Sequence, residues 1–139
     1  MRFAASSSVR RREFTLYVDE SIYSKDLVSG LLLAKEDVRR VGIDVKFGAK
    51  DHEWLEVVGT NGWFALTRDQ RIRYRTLEKR TMKAYEVGAF TFIGGQATAS
   101  QTTARVLELL PKMKAIAKSE TRPFLYTFGH VGGLARVSL

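Results

Sequence analysis

From Phe14 onward the chain alternates strand-like and helix-like segments, and this alternation restricts its fold more than any other feature. Residues 14–18, Phe-Thr-Leu-Tyr-Val, are aromatic and β-branched and read as a first strand. Ser24 is placed to cap a helix in which Leu27, Val28, Leu31 and Leu32 recur at helical spacing. Gly42 is its predicted stop, with Arg39 and Arg40 complementing the C-terminal dipole. Residues 43–47 then read as strand two. Asp51 takes an N-cap position before a short helix carrying Trp54, Leu55 and Val58, closed by Asn61-Gly62.

The third strand is predicted at residues 63–67, a helix at 75–87 stopped by Gly88, and the fourth strand at 89–93. Residues 100–118 form a long helix that Pro111 is expected to kink or divide, because proline lacks an N–H and clashes with the preceding turn. Residues 124–128 supply the fifth strand, and 134–139 offer a short edge strand. The expected architecture is therefore α/β: a mainly parallel five-stranded sheet with helices on both faces, in three layers.

A chain of 139 residues suits one domain, predicted for residues 13–139 behind a flexible basic arm at 1–12 containing Arg2, Arg10, Arg11 and Arg12. With 45% hydrophobic and 11% aromatic residues, a core can form without covalent staples. The absence of cysteine excludes disulfides, thiolate zinc sites and cysteine nucleophiles, and fits a reducing cytoplasm. No apolar run approaches the roughly 18 residues that would span a bilayer, so no membrane association is expected. The net charge of +8 is concentrated in the arm and in a stripe with Arg68, Arg71, Arg73, Arg75, Lys79, Arg80 and Lys83 against Asp69 and Glu78. A basic stripe in an otherwise balanced chain is the footprint expected for a polyanion such as RNA, although a solvated helix face has the same look.

In an open parallel sheet the ligand site lies beyond the carboxyl ends of the strands. Asp19 and Glu20 follow strand one. Asp51 opens the helix after strand two, with Glu53 two residues on. Thr67, Arg68 and Asp69 follow strand three. Asp51 taken alone reads as a plain helix cap, and Asp19 and Asp69 as ordinary loop acids. Their joint arrival at one rim is the functional signal. Converging carboxylates repel unless a cation lies between them, and hard oxygen donors suit Mg²⁺ or Mn²⁺. Such an ion can activate water and neutralise a scissile phosphate, while Arg68, Arg71 and Arg73 hold the flanking backbone. His52 and His130 have no second histidine at ligand spacing and read as local hydrogen-bonding groups. Trp54 and Trp63 read as core residues.

Three segments, Leu16-Tyr17-Val18-Asp19-Glu20, Lys50-Asp51-His52-Glu53-Trp54-Leu55 and Trp63-Phe64-Ala65-Leu66-Thr67-Arg68-Asp69-Gln70-Arg71-Ile72-Arg73, resemble the PIN-like domain of VapC-type toxins, in its short branch. The resemblance covers roughly residues 14–128, and the third segment is the most specific. It implies a Mg²⁺- or Mn²⁺-dependent ribonuclease, the toxin of a type II toxin–antitoxin pair, with an antitoxin partner and a homodimer as further implications. Asp19, Asp51 and Asp69 match the family's acids. The glutamate usual between the first two has no clean counterpart here. Glu36 and Asp37 lie near that place, and Glu20 or Glu53 is the alternative source of a further ligand.

Two other readings stay open. One is a PIN-like module without activity that binds RNA or protein, motivated by the missing glutamate. The other is a receiver-like phosphoacceptor domain, with acids after strands one and three. Against the latter, strand four ends without a hydroxyl residue and strand five has no following lysine.

Overall fold

The computed structural model describes residues 14–139, so the arm expected at residues 1–12 lies outside the described residues. In chain order the elements are β1 (Thr15–Val18), α1 (Lys25–Leu33), β2 (Asp37–Arg40), α2 (Asp51–Asn61), β3 (Phe64–Thr67), a 3-10 turn (Gln70–Arg73), α3 (Thr76–Tyr85), β4 (Gly88–Phe92), α4 (Ala99–Ser119), β5 (Phe124–Phe128) and β6 (Ala135–Val137). The sheet runs β2-β1-β3-β4-β5-β6. Its pairs are parallel except for β5 with β6, so the anticipated edge strand makes a sixth member.

Side chains alternate across the strands and divide the core in two. Leu16, Val18, Phe64, Leu66, Phe90, Phe92, Phe124 and Phe128 face α1 and α4. Tyr17, Ala65, Ala89 and Leu125 face α2 and α3 through Trp54, Leu55, Val58 and Met82. The result is three layers with helices on both faces. No helix among the described residues is long and apolar enough to cross a membrane.

The first half of the chain departs from the sequence expectation. Ser24 does cap α1, its hydroxyl accepting the Leu27 N–H at 3.0 Å. The helix then ends at Leu33, well before Gly42. Lys35 adopts φ 68, and the N–H groups of Lys35 and Glu36 turn back to Leu32 and Leu31 carbonyls at 2.9 and 3.0 Å, closing the helix end. Asp37–Arg40 is therefore strand β2, in register from Thr15↔Asp37 to Val18↔Arg40. The segment expected as strand two is a turn with exposed Ile43 and Phe47, tied by one bridge between Val41 and Val45. Arg39 and Arg40 are strand residues, not helix-terminal cations.

Two smaller corrections concern the helices. Pro111 does not divide α4, which runs unbroken to Ser119. It lies on the exposed side while its neighbours Leu110 and Met113 are buried, so packing holds the helix through the missing hydrogen bond. Helix α3 stops at Glu86 in the left-handed region, φ 54, and not at Gly88. Gly88 instead begins β4, where a Cβ would come within 2.6 Å of the Phe124 ring and 2.9 Å of Phe64.

This strand order fixes the site. From β1 the chain moves outward to β2, then returns to place β3 on the other side of β1. The carboxyl ends of β1 and β3 thus lie side by side with connections leaving in opposite directions, the usual position of a ligand crevice in such sheets.

Candidate active site

Asp19 is the first residue after β1 and is 4% exposed. Its backbone N–H continues the parallel ladder to the Leu66 carbonyl at 3.1 Å. Three described donors converge on its Oδ2: the Ser21 hydroxyl at 2.6 Å, the Thr67 hydroxyl at 2.8 Å and the Ser21 N–H at 3.3 Å. Burial pushes its carboxyl above the ordinary value, and these bonds work against that shift. Thr67, the last residue of β3, uses the same hydroxyl oxygen to accept the Asp69 N–H at 3.1 Å. Ser21 in turn accepts the Arg68 N–H at 2.9 Å. The ends of β1 and β3 are thereby stitched together by two hydroxyl groups. Nothing in the sequence marks Ser21, since a serine two residues past an acid carries no motif of its own.

Asp69 caps the 3-10 turn, its Oδ1 accepting the Arg71 N–H at 2.9 Å. The Arg71 side chain folds back onto the same carboxylate, with Nε to Oδ1 at 2.9 Å and Nη2 to Oδ2 at 2.6 Å. That Nη2 also lies 3.7 Å from Asp51 Oδ2. Asp51 is the first residue of α2 and not its cap. Lys50 holds the cap position, and Glu53 receives the Lys50 N–H at 2.8 Å. Freed from capping, the Asp51 carboxylate takes the Trp54 indole N–H on Oδ1 at 3.2 Å and turns Oδ2 toward Arg71. The Asp51 and Asp69 side chains are only 9% and 8% exposed. Burial, then the nearby Asp69 carboxylate, pushes Asp51 up to about 7. Burial acts upward on Asp69 as well, but its bonds to Arg71 and Asp51 bring it down to about 2. The pair behaves as two acids sharing roughly one negative charge's worth of room, with a guanidinium between them.

The remaining predicted residues divide clearly. Glu20 is exposed and its Oε1 accepts the Gly48 N–H at 2.8 Å, while Glu53 is spent on capping. Glu36 pairs with Lys114 at 2.6 Å, and Asp37 accepts the Thr15 hydroxyl at 2.6 Å, at the opposite end of β1 from Asp19. Neither supplies an acid to the rim. Arg68 is anchored to the Gly94 carbonyl at 2.9 Å with its guanidinium over Phe92, and Arg73 lies over Tyr74. His130 contacts the Gly95 carbonyl at 2.6 Å and the Phe92 ring edge-on. Trp54 is core, stacked on Tyr17, and Trp63 packs partly buried against the same ring with Arg39 over it.

Among the described residues, no group of three or more histidine, aspartate and glutamate side chains is close enough to hold one ion. Asp51 and Asp69 form a pair whose donors are all oxygen and which already embraces a cationic side chain. That chemistry suits a hard divalent ion that keeps most of its water, as Mg²⁺ does with one or two carboxylates. Asp19 joins the pair through Thr67 rather than by direct contact.

Comparison with known proteins adds one finding. The model of a family described as PIN like domain matches residues 15–94. That span contains β1 through the end of β4, and with it every residue of the rim. No match is found among the curated proteins or the solved structures.

Proposed function

The chain belongs to the PIN-like domain family, and from that premise we propose that it is a divalent-metal-dependent ribonuclease and the toxin of a toxin–antitoxin pair. The observation carrying this reading is the pairing of Asp51 with Asp69 across Arg71, at the carboxyl ends of β1 and β3 and joined to Asp19 by Thr67.

Asp51 and Asp69 would hold Mg²⁺ or Mn²⁺, with Asp19 contributing directly or through water. A divalent ion in that place supplies Lewis-acid neutralisation of the phosphate and a water of lowered pKa. Asp19 is oriented by Ser21 and Thr67 at Oδ2. Arg68 spends one nitrogen on Gly94 and keeps further donors for a backbone phosphate. Arg71 and Arg73 extend the same positive edge. The antitoxin would be a protein segment that covers this rim, and the resemblance to VapC-type toxins supports that partner.

The direct test is incubation of the protein with a synthetic RNA, with Mn²⁺ or with a chelator. Cleavage that needs Mn²⁺ and disappears in a folded Asp19→Asn variant supports the reading, whereas equal cleavage by variant and parent defeats it. A second reading, an RNA- or protein-binding module without activity, is favoured by the lack of a three-ligand group among the described residues. Salt-sensitive RNA binding with no metal-dependent product would select it.

A further inference from the structure

A separate cleft lies at the end of the sheet that the rim does not use. Thr15 and Phe64, which open β1 and β3, line it, while Asp19 and Thr67 stand at the other ends of the same strands. Its volume is about 610 Å³, within the roughly 300–1,000 Å³ usual for sites that take one small molecule. Helix α4 walls one side through Lys114 and Lys118. Arg39 of β2 and Arg122, just before β5, complete the basic lining, and Asp37 is the single acid in it.

The cations differ in how far they are already neutralised. Lys114 is held by Glu36 at 2.6 Å, and Arg39 lies 3.6 Å from Asp44. Lys118 and Arg122 have no carboxylate partner among the described residues. Arg122 donates to the Gly62 carbonyl at 3.1 Å, and Asp37 spends its Oδ2 on the Thr15 hydroxyl at 2.6 Å. The segment before Phe14 is a poor source of the missing negative charge, since residues 1–13 carry four arginines against one glutamate.

Positive charge here is interleaved with flat aromatic surface. The Arg39 guanidinium lies over the Trp63 ring at 5.4 Å and that of Arg122 over Phe64 at 5.0 Å, while Phe14 stacks on Phe64 with centroids 5.4 Å apart. A guanidinium laid on a ring is held in place, keeps N–H donors for a phosphate, and presents its outer face to a base. A simple anion would use the charges and leave the flat surface idle, and so would an acidic peptide.

We propose that this cleft is a nucleotide-binding site distinct from the rim, taking a phosphate at Lys118 and Arg122 and a base against the Arg39–Trp63 stack. A free nucleotide and one unit of an RNA strand offer this same chemistry. The inference stands apart from the nuclease reading, because binding here needs neither a metal ion nor cleavage. Little in the sequence announces it: Arg39 is far along the chain from Lys114, Lys118 and Arg122, and none belongs to the basic stripe of residues 68–83.

The test is isothermal titration calorimetry of the full chain in chelator. The probes are adenosine 5′-monophosphate, adenosine, inorganic phosphate, a hexaglutamate peptide and an RNA tetramer methylated at its ribose hydroxyls to resist cleavage. The proteins are parent, Lys118→Gln, Arg122→Gln and Arg68→Gln, the last a change at the rim. The monophosphate should bind the parent about tenfold or more tighter than adenosine or phosphate alone. Lys118→Gln and Arg122→Gln should each weaken it by about tenfold, the scale of one lost charge-assisted hydrogen bond, and Arg68→Gln should leave it unchanged. Lys118 is exposed, so its variant gives the comparison should Arg122→Gln, which also loses the Gly62 bond, fail to fold. A tetramer that binds more tightly than the monophosphate, and loses that advantage in Lys118→Gln, identifies an RNA strand as the source. Tighter binding of the monophosphate identifies a free nucleotide. Absence of binding by both nucleotide probes overturns the proposal. Equal binding of phosphate and monophosphate overturns it in favour of a plain anion site. Monophosphate binding that survives Lys118→Gln and is lost in Arg68→Gln overturns it by placing the nucleotide at the rim. Hexaglutamate that outbinds both nucleotide probes and needs Lys118 overturns it in favour of an acidic protein partner. None of these outcomes bears on metal-dependent cleavage.

Discussion

Thr67 gives its hydroxyl proton to Asp19 at 2.8 Å and, with the same oxygen, holds the backbone N–H of Asp69 at 3.1 Å. A fully buried threonine thus couples two acids that are fifty residues apart in sequence. Valine matches its shape and removes both bonds. Thr67→Val should destabilise the fold by about 1–3 kcal/mol, because a buried carboxylate and a backbone N–H each lose a partner. RNA cleavage should fall by about tenfold or more, and Thr67→Ser should recover most of it. Urea unfolding and single-turnover cleavage measure the two effects.

Asp51 carries a testable pH signature. Its carboxyl is pushed up to about 7, so between about pH 4 and pH 7 the folded chain keeps a proton that the unfolded chain has released. The stability from this group is complete below pH 4 and is lost as the pH rises through 7. Asp69 works in the opposite sense and in a different window. Held down to about 2, it contributes above its ordinary value, and that contribution is lost as the pH falls through 2. In chelator, the urea midpoint of the parent should therefore fall between about pH 4 and pH 7. Asp51→Asn should flatten that slope, and Mn²⁺ at pH 8 should restore the parent.

Helices α2 and α3 meet at Gly59, where a Cβ would lie 2.4 Å from the Tyr85 carbonyl oxygen and 2.6 Å from Tyr85 Cβ. The nearest atom is backbone and cannot swing away. Gly59→Ala should destabilise by about 1–3 kcal/mol through overpacking, despite alanine's better helix propensity. Because Asp51 opens the same helix, Mn²⁺ affinity should fall with it. Thermal melting and Mn²⁺ titration on one preparation check both.

Tyr17 offers a change in the other direction. Its ring is fully buried between Trp54 and Trp63, and its hydroxyl has no partner among the described residues. Burial, followed by the charges of Asp19, Asp44 and Glu20, drives its pKa upward, so the hydroxyl stays neutral. Tyr17→Phe removes an unsatisfied polar atom and keeps the stack. It should leave stability unchanged or raise it by about 1 kcal/mol, read from the denaturation midpoint.

Much of this fold was legible from residue pattern alone. Phe124–Phe128 is an aromatic-rich run, interrupted only by Thr127, that is buried on both faces and has the bounds expected for it. The end of β3 at Thr67 was equally visible, since turn residues follow a short apolar stretch, whereas α2 begins one residue earlier than expected, with Asp51 as its first residue and not its cap. β2 was not legible because it is an edge strand whose inward surface rests on Val38, while Asp37, Arg39 and Arg40 read as the polar end of a helix. Nothing before Lys35 announces that this residue will take φ 68 and stop α1 early. At the site, acids after strand ends could be found from their spacing. The roles of Ser21 and Arg71 could not, because each depends on which groups the fold brings beside it and not on a motif in the chain.

The return of the chain past β1 has a consequence for when the acidic rim first assembles. Asp19 and Asp51 are both synthesised before the segment that brings them their neighbours, and β1 acquires β3 only after the outer strand and two whole helices have been laid down. A nascent chain therefore emerges from the ribosome with its acids scattered, and a competent rim arises only at docking of the Thr67 segment. Synthesis order alone thus keeps Asp19 and Asp51 from their shared neighbours until the middle of the chain exists.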